Sequence, residues 1–373
     1  MKITKISVFI VHSHKDNWVI LKMYTDEGIT GVGESSVEGR ERTIRVAIRE
    51  LESYLIGKDP FNIEKHWYKI FRDSYWGAGA ILTGALSAVD GAMWDIKGKA
   101  LNVPVYELLG GKVRDKIRLY ANRWFFGANN SDQLAKKAEK VIRKGYTALK
   151  WDPFGKAEWN ITNSQMKEAV ESVRAVRKAI GNEIDILIEG HGRFNVFTAI
   201  RIAKELEEFK PMFFEEPIMP ENIDALAEVR EKSPIPIAAG ERLYTKFDFR
   251  DAIEKRAVDV VQPDLRVAGG ITEVKKISAI AEAYFLPVAP HNIHGLVGTF
   301  MTVHLMASIP NALILEYTIE DIPWKEEIFK CDLKIKNGYL YIPEKIGLSI
   351  DFDEKKAEKY PFKPVSMIDE MFG

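Results

Sequence analysis

From Ile117 onward the chain alternates short apolar runs with helical patterns, and no other feature restricts the fold as much. The strand candidates are Ile117–Tyr120, Thr147–Trp151, Asp185–Glu189, Met212–Glu215, Ile235–Ala239, Val258–Gln262, Phe285–Ala289 and Ala312–Glu316. Helical periodicities lie between them, for example at Asp132–Lys144, Gln165–Ile180, Val196–Phe209, Ile271–Ala283 and Val297–Ser308. Parallel-type strands joined by helices in this way predict an α/β chain that closes into a barrel. An open doubly wound sheet would carry a Gly-rich phosphate turn after its first strand. None follows Tyr120.

Ahead of the barrel the pattern is that of a small α+β unit. Alternating stretches at Ile3–Val11 and Trp18–Thr25 flank the polar segment His12–Asn17, and Asp26-Glu27-Gly28 turns the chain into another strand. Helical patterns follow at Thr43–Leu55, Ile63–Phe71 and Ala80–Ala100, the last halted near Asn102 and Pro104. After the eighth strand the barrel helix gives way to a polar tail with strand-like Gly338–Ile342. The expected division is 1–115 for the first unit, 116–325 for the barrel, and 326–373 for a tail that packs back on the first unit.

Composition excludes several classes of function. Of the 373 residues, 46% are hydrophobic, enough for a large core, and the formal charge of −1 gives no reason to expect a nucleic-acid partner. A single cysteine, Cys331, rules out an internal disulfide and suits a reducing compartment. No apolar run approaches membrane-spanning length and the N-terminus reads as a strand, so a cytoplasmic protein with no membrane partner is expected.

Barrels of this kind place their chemistry at the C-terminal ends of the strands. Those ends carry Asn122, Lys150 with Asp152, Glu189 with His191, Glu215, Glu241, Asp264, His291 and Glu316. Glu189, Glu215 and Glu241 are spaced by 26 residues both times, about one strand plus one helix. Any one of these acids, alone, reads as a solvated cap or a salt-bridge partner; three in equal register after apolar runs do not. Carboxylates buried together require a compensating cation or proton, and hard oxygen donors suit Mg²⁺. Glu216 points the other way if its strand persists, and so reads as structural. His191 lies two residues past Glu189, on the same side of an extended chain. Asp264, ending the sixth strand, is placed to orient His291 and raise its basicity. His66 and His304 read as structural.

These residues fall in motifs that resemble the enolase superfamily in its mandelate racemase-like branch. The marks are Phe214-Glu215-Glu216-Pro217, Gly240-Glu241-Arg242, Gln262-Pro263-Asp264, Ala268-Gly269-Gly270 and Pro290-His291-Asn292. The resemblance implies a modified TIM barrel, (β/α)7β, capped by the N-terminal α+β domain. It also implies one Mg²⁺ per subunit, with Mn²⁺ as an alternative, which grips a substrate carboxylate and stabilises an enediolate. Within the branch the chain is most similar to sugar-acid dehydratases of the galactonate, gluconate and arabinonate type. By that resemblance His291 with Asp264 is the base for the proton next to the carboxylate, and His191 is the acid on the departing hydroxyl. Glu316 and Lys150 would contact the bound carboxylate or enediolate.

Two departures from the family pattern bear on this expectation. The third-strand ligand is often Asp in the family and here is Glu189. Racemases of the branch carry Lys-x-Lys at the second strand end, whereas this chain has Lys150 and Asp152. A racemase or epimerase of a 2-hydroxy acid, the main rival, would therefore lack its second base; a non-catalytic sugar-acid sensor would not need a proton-transfer pair. The expected substrate is a five- or six-carbon aldonate such as D-arabinonate, D-gluconate or D-galactonate. Candidate contacts are His14, Asn17, Tyr75, Asn122, Arg123, Asp152, His294 and Tyr317, with the His12–Trp18 and Ser74–Gly79 segments as lids. The resemblance also implies a homo-oligomer, with dimers packed into an octamer.

Overall fold

The alternation at the N-terminus produces a three-stranded antiparallel sheet. In the computed structural model, which describes residues 1–13, 15–73, 75–293, 295–319 and 322–365, strands β1 (Ile3–His12), β2 (Asn17–Thr25) and β3 (Thr30–Ser35) pair in sequence order. The expected helix at Thr43–Leu55 is broken at Leu51 into α1 (Glu41–Glu50) and α2 (Glu52–Leu55). Next come α3 (Ile63–Tyr68), a wider turn over Lys69–Asp73, and α4 (Ala80–Ala100). Val19, Leu21 and Met23 of the sheet share one core with Ile44 and Ile48 of α1 and Val89, Met93 and Ile96 of α4. Gly31 and Gly33 let β3 lie directly on α4, because a Cβ at either would collide with the carbonyl oxygen of Ala92 or Ala88.

After the short α5 (Val105–Leu108), β4 (Lys116–Asn122) starts the barrel. It continues through α6 (Ser131–Arg143), β5 (Ala148–Trp151), α7 (Asn163–Ile180), β6 (Asp185–Glu189) and α8 (Val196–Leu206). Then follow β7 (Phe214–Glu215), α9 (Ile223–Lys232), β8 (Ile237–Ala239), α10 (Thr245–Glu254) and β9 (Val260–Val261). Side chains of Asn130, Thr162, Asn195 and Asn222 cap α6, α7, α8 and α9, Thr162 in a reciprocal capping box with Gln165. Helices α11 (Gly270–Ala283) and α12 (Leu296–Ser308) flank the seventh barrel position, and β10 (Leu315–Thr318) returns to pair in parallel with β4 and close the ring.

The seventh strand, expected over Phe285–Ala289, is reduced to a ladder contact of Val288 with Val261 and Ala312. Pro287 and Pro290 bracket it, and neither has an N–H to donate. Tyr120, Ala148, Leu187, Phe213, Ala238, Val260, Ala289 and Ile314 form one fully buried cluster, one residue from each strand position, and fill the barrel interior.

The tail touches both domains. The hairpin of β12 (Ile335–Lys336) and β13 (Tyr339–Tyr341), preceded by β11 (Phe329–Cys331), extends β4 antiparallel at Lys116–Arg118. The strand-like Gly338–Ile342 thus lies on the barrel edge and not on the first sheet. Beyond it β14 (Ile350–Phe352) pairs with β11. The tail then reaches the first sheet through the Val11–Pro361 bridge, a Lys22–Glu354 ion pair at 2.8 Å and the Asn17 amide on the Lys363 carbonyl at 2.8 Å. No helix among the described residues is long and apolar enough to cross a membrane.

Candidate active site at the barrel mouth

Because β6, β7 and β8 are adjacent and parallel, their ends bring Glu189, Glu215 and Glu241 together. One oxygen from each lies within 4.8 Å of the others. Glu189 and Glu215 are buried and Glu241 is partly open. The Lys150 ammonium sits beside them, 2.9 Å from Glu189 Oε2, 2.9 Å from Glu316 Oε1, and in contact with Glu215. Gln262 Nε2 donates to the other Glu215 oxygen at 2.8 Å. Burial works against ionised Glu189, but Lys150 and His191 outweigh it and hold this carboxyl below the usual range. Burial, aided by the Glu189 charge, pushes Glu215 well up. One ammonium among four carboxylates is thus not enough compensation, and an all-oxygen donor set of this kind fits a divalent cation. Glu189, Glu215 and Glu241 would hold it.

Two histidines flank the cluster, each backed by the same arrangement. His291 Nδ1 donates to Asp264 Oδ2 at 2.8 Å, and Arg266 grips both oxygens of Asp264, through Nε to Oδ1 at 2.9 Å and through Nη2 to Oδ2. On the other side His191 Nδ1 lies 2.8 Å from Asp152 Oδ2, which Arg193 also contacts, while Asp152 Oδ1 accepts the Phe154 N–H at 2.8 Å. His291 Nε2 faces Glu241 at 3.5 Å and Glu316 at 3.9 Å. Burial lowers the His291 imidazole, but Glu241, Asp264 and Glu316 overcome it and raise it to about 10. Burial likewise lowers His191, and Glu189, Asp152 and Glu241 more than reverse that. The Glu241 carboxylate therefore acts on both rings. Asp264 is held down to about 2: burial would raise it, and Arg266 and His291 outweigh burial.

Backbone conformation contributes to this geometry. Arg123, His191 and Glu216 all have φ between +43° and +60°, so the chain turns sharply as it leaves β4, β6 and β7. Glu216 is thereby turned away from Glu215 and pairs with Arg242, and its Oε1 accepts the Gly240 N–H at 3.2 Å. His191 follows Gly190, and its own N–H donates to Glu189 Oε1 at 2.8 Å.

The remaining sequence candidates fall in varied places. Asn122 donates to Glu316 Oε1 at 2.7 Å and accepts the Arg123 N–H, and Glu316 Oε2 accepts the Asn292 N–H at 2.9 Å. Asp152, expected as a substrate contact, has its carboxylate engaged by His191, Arg193 and the Phe154 N–H. Tyr317 is buried and lines a small pocket with Asp16, Trp18, Arg123, Asn292 and Thr318. Asp16 pairs with Arg123, tying the loop between β1 and β2 to the barrel. Tyr75 is 85% exposed and packs edge-on against Trp76. His14 and His294 lie outside the described residues. His66 and His304 are buried away from the cluster, His304 against Tyr106 and its backbone N–H. The sequence alone assigns no role to Gln262, Arg193 or Arg266, although Gln262 opens the Gln262-Pro263-Asp264 motif and the two arginines stand two residues past His191 and Asp264.

Comparison with known proteins identifies the family. Residues 2–110 match the mandelate racemase/muconate lactonizing enzyme N-terminal domain, and residues 133–356 match the enolase C-terminal domain-like family. A D-galactonate dehydratase from Ralstonia pickettii is 39% identical over 367 residues, 95% of this chain and 93% of its own length. A D-gluconate dehydratase from Thermoproteus tenax is 36% identical over 348 residues, 93% of this chain and 70% of its own. The crystal structure of a member of the enolase superfamily from Salmonella Typhimurium superposes with a TM-score of 0.92 at 34% identity, covering 96% of this chain and 98% of that one. The chain thus belongs to the enolase superfamily, in its mandelate racemase-like branch, and is an enzyme of the dehydratase, or hydro-lyase, kind.

Proposed function

We propose that the enzyme dehydrates an aldonic acid to its 2-keto-3-deoxy acid in a Mg²⁺-dependent reaction. The observation that carries this reading is the pair of Arg–Asp–His arrangements flanking one carboxylate cluster. His291 takes the proton from C2, and Asp264 stabilises the imidazolium that forms. His191, whose protonated form Glu189 and Asp152 favour, gives a proton to the C3 hydroxyl, which leaves as water. The enol that remains takes up a proton at C3 and becomes the keto acid, so one water is lost overall. When bound, Mg²⁺ supplies positive charge that offsets the field of the carboxylates and stabilises charge developing on the substrate carboxylate. Glu316, held by Asn122 and the Asn292 N–H, and Lys150 face the same end of the substrate.

A racemase would need a second base, and Lys150 is a poor one. Its ammonium is buried and shared among Glu189, Glu215 and Glu316. The dehydratases of D-galactonate and D-gluconate among the relatives support a hexonate, and D-arabinonate belongs in the same test. The deciding experiment is a screen of pentonates and hexonates with Mg²⁺, following semicarbazide-reactive product and loss of the C2 proton in heavy water. A keto acid formed from at least one aldonate is expected. Exchange at C2 without any keto acid would replace this reading with the racemase.

A further inference from the structure

Outside the carboxylate cluster, buried charge also gathers where β3 of the capping domain meets the loop after β9. Glu34, fully buried, accepts the Gly295 N–H on Oε1 and the Gly298 N–H on Oε2, both at 2.9 Å, at the start of α12. Arg266, equally buried, lies beside it. A Cβ on Gly298 would stand 2.7 Å from Arg266 Cδ and 3.4 Å from Glu34 Cδ, so the two side chains close over that glycine. Burial raises the Glu34 carboxyl; Arg266 and the two backbone N–H groups oppose that rise. Arg266 in turn grips Asp264, and Asp264 accepts from His291. Ionisable groups of alternating sign therefore run from the capping sheet to the ring.

The same loop is gripped by the capping domain at several other points. Ser35 Oγ donates to the Arg266 carbonyl at 3.1 Å, and the Gly269 N–H donates to Ser87 Oγ at 2.9 Å. Trp67 Nε1 donates to the Gly269 carbonyl at 2.7 Å, and the Thr272 N–H donates to Asp90 Oδ2 at 3.1 Å. A buried guanidinium with one counter-ion would draw wholly on Asp264. The Glu34 and Glu38 carboxylates also act on the guanidinium, which leaves Asp264 free to orient the imidazole.

We propose that Glu34 is a positioning residue for the base His291, acting across the domain boundary through Arg266 and Asp264. This rests on the reading of His291 as the base. The test compares Glu34→Gln, Glu34→Asp and Gly298→Ala with the wild-type full chain, all with Mg²⁺. Gly298→Ala pushes chiefly on Arg266 and keeps the carboxylate of Glu34. Three quantities are read: C2-proton exchange on an aldonate, the thermal midpoint, and the downfield Nδ1–H resonance of ¹⁵N-labelled His291, assigned by its absence in His291→Asn. In Glu34→Gln and Gly298→Ala, kcat for exchange is expected to fall about 10–100-fold with KM little changed, and the resonance to move upfield. Glu34→Asp is expected to recover part of both. An unmoved resonance in both variants, or a lower thermal midpoint with unchanged exchange, overturns the proposal. If no aldonate exchanges its proton even with the wild type, the proposed reaction fails, and the resonance alone still decides the role of Glu34.

Discussion

Replacing Asp152 with Asn preserves the shape of the side chain and reverses the sense of one hydrogen bond. The amide oxygen can keep the Phe154 N–H, now 2.8 Å from Oδ1. The amide nitrogen must then face His191 Nδ1 and Arg193, where a carboxylate oxygen accepted from both. His191 can meet an amide N–H only through an unprotonated Nδ1, which leaves a neutral ring at the site proposed for the acid. The bond lost is charge-assisted, worth about 1.5–3 kcal/mol, and at about 1.4 kcal/mol per decade that is a roughly 10–150-fold fall in kcat for dehydration. The imidazole is 35% exposed at its side chain, which favours the lower half of that range. His291 and Asp264 are untouched, so C2-proton exchange should stay within a few-fold of wild type. Semicarbazide assay of the keto acid beside ¹H NMR in heavy water separates the two steps. Parallel loss of both, or a rise in KM with kcat preserved, would refute the acid-positioning role and return Asp152 to substrate binding.

Other perturbations have equally definite outcomes. His291→Asn should abolish both exchange and dehydration while Mg²⁺ binding, followed by calorimetry, is unchanged. Glu215→Gln should weaken Mg²⁺ or Mn²⁺ binding at least about tenfold in the same calorimetry, by analogy with losses seen even for indirect partners of a metal. Lys150→Met leaves four carboxylates with no ammonium among them, so in chelator the protein should lose about 3–5 kcal/mol, seen as a lower midpoint in a thermal scan and restored by Mg²⁺. His304 gives a pH signature. Burial lowers it to about 4 from 6.5, so the unfolded chain binds the extra proton, and stability present above pH 6.5 is lost as pH falls toward 4. The loss amounts to about 3 kcal/mol, and His304→Gln, with an acceptor left for the Tyr106 N–H, should flatten that arm in urea titrations.

The parts of the site that follow a strict register are those most readily read from sequence. Glu189, Glu215 and Glu241 recur at the spacing of one strand–helix unit, and parallel pairing of β6, β7 and β8 converts equal spacing into proximity. What register cannot show is direction after a turn. Asp152, taken for a substrate contact, is committed to His191 because Arg193 folds back from beyond β6 to meet it. The left-handed turn at Glu216, which pairs this residue with Arg242, has no periodic signature either. The seventh strand shrank because Pro287 and Pro290 withhold donors from it. Glu34 was invisible for a different reason: a glutamate ending an alternating strand reads as solvent-facing until the partner domain is placed over it.

The ring of the barrel is sealed by segments far apart along the chain. Strand β4, its first member, takes one neighbour from β10 and another from β13, some two hundred residues downstream. During synthesis that edge has only β5 beside it until Leu315–Thr318 emerges, and its lower end waits until Tyr339–Tyr341. An incomplete polypeptide therefore displays a sticky border with unsatisfied amides, the usual seed of misassembly. Nascent chains halted before Tyr341 should depend on chaperones, whereas the finished one shields this border with its own tail.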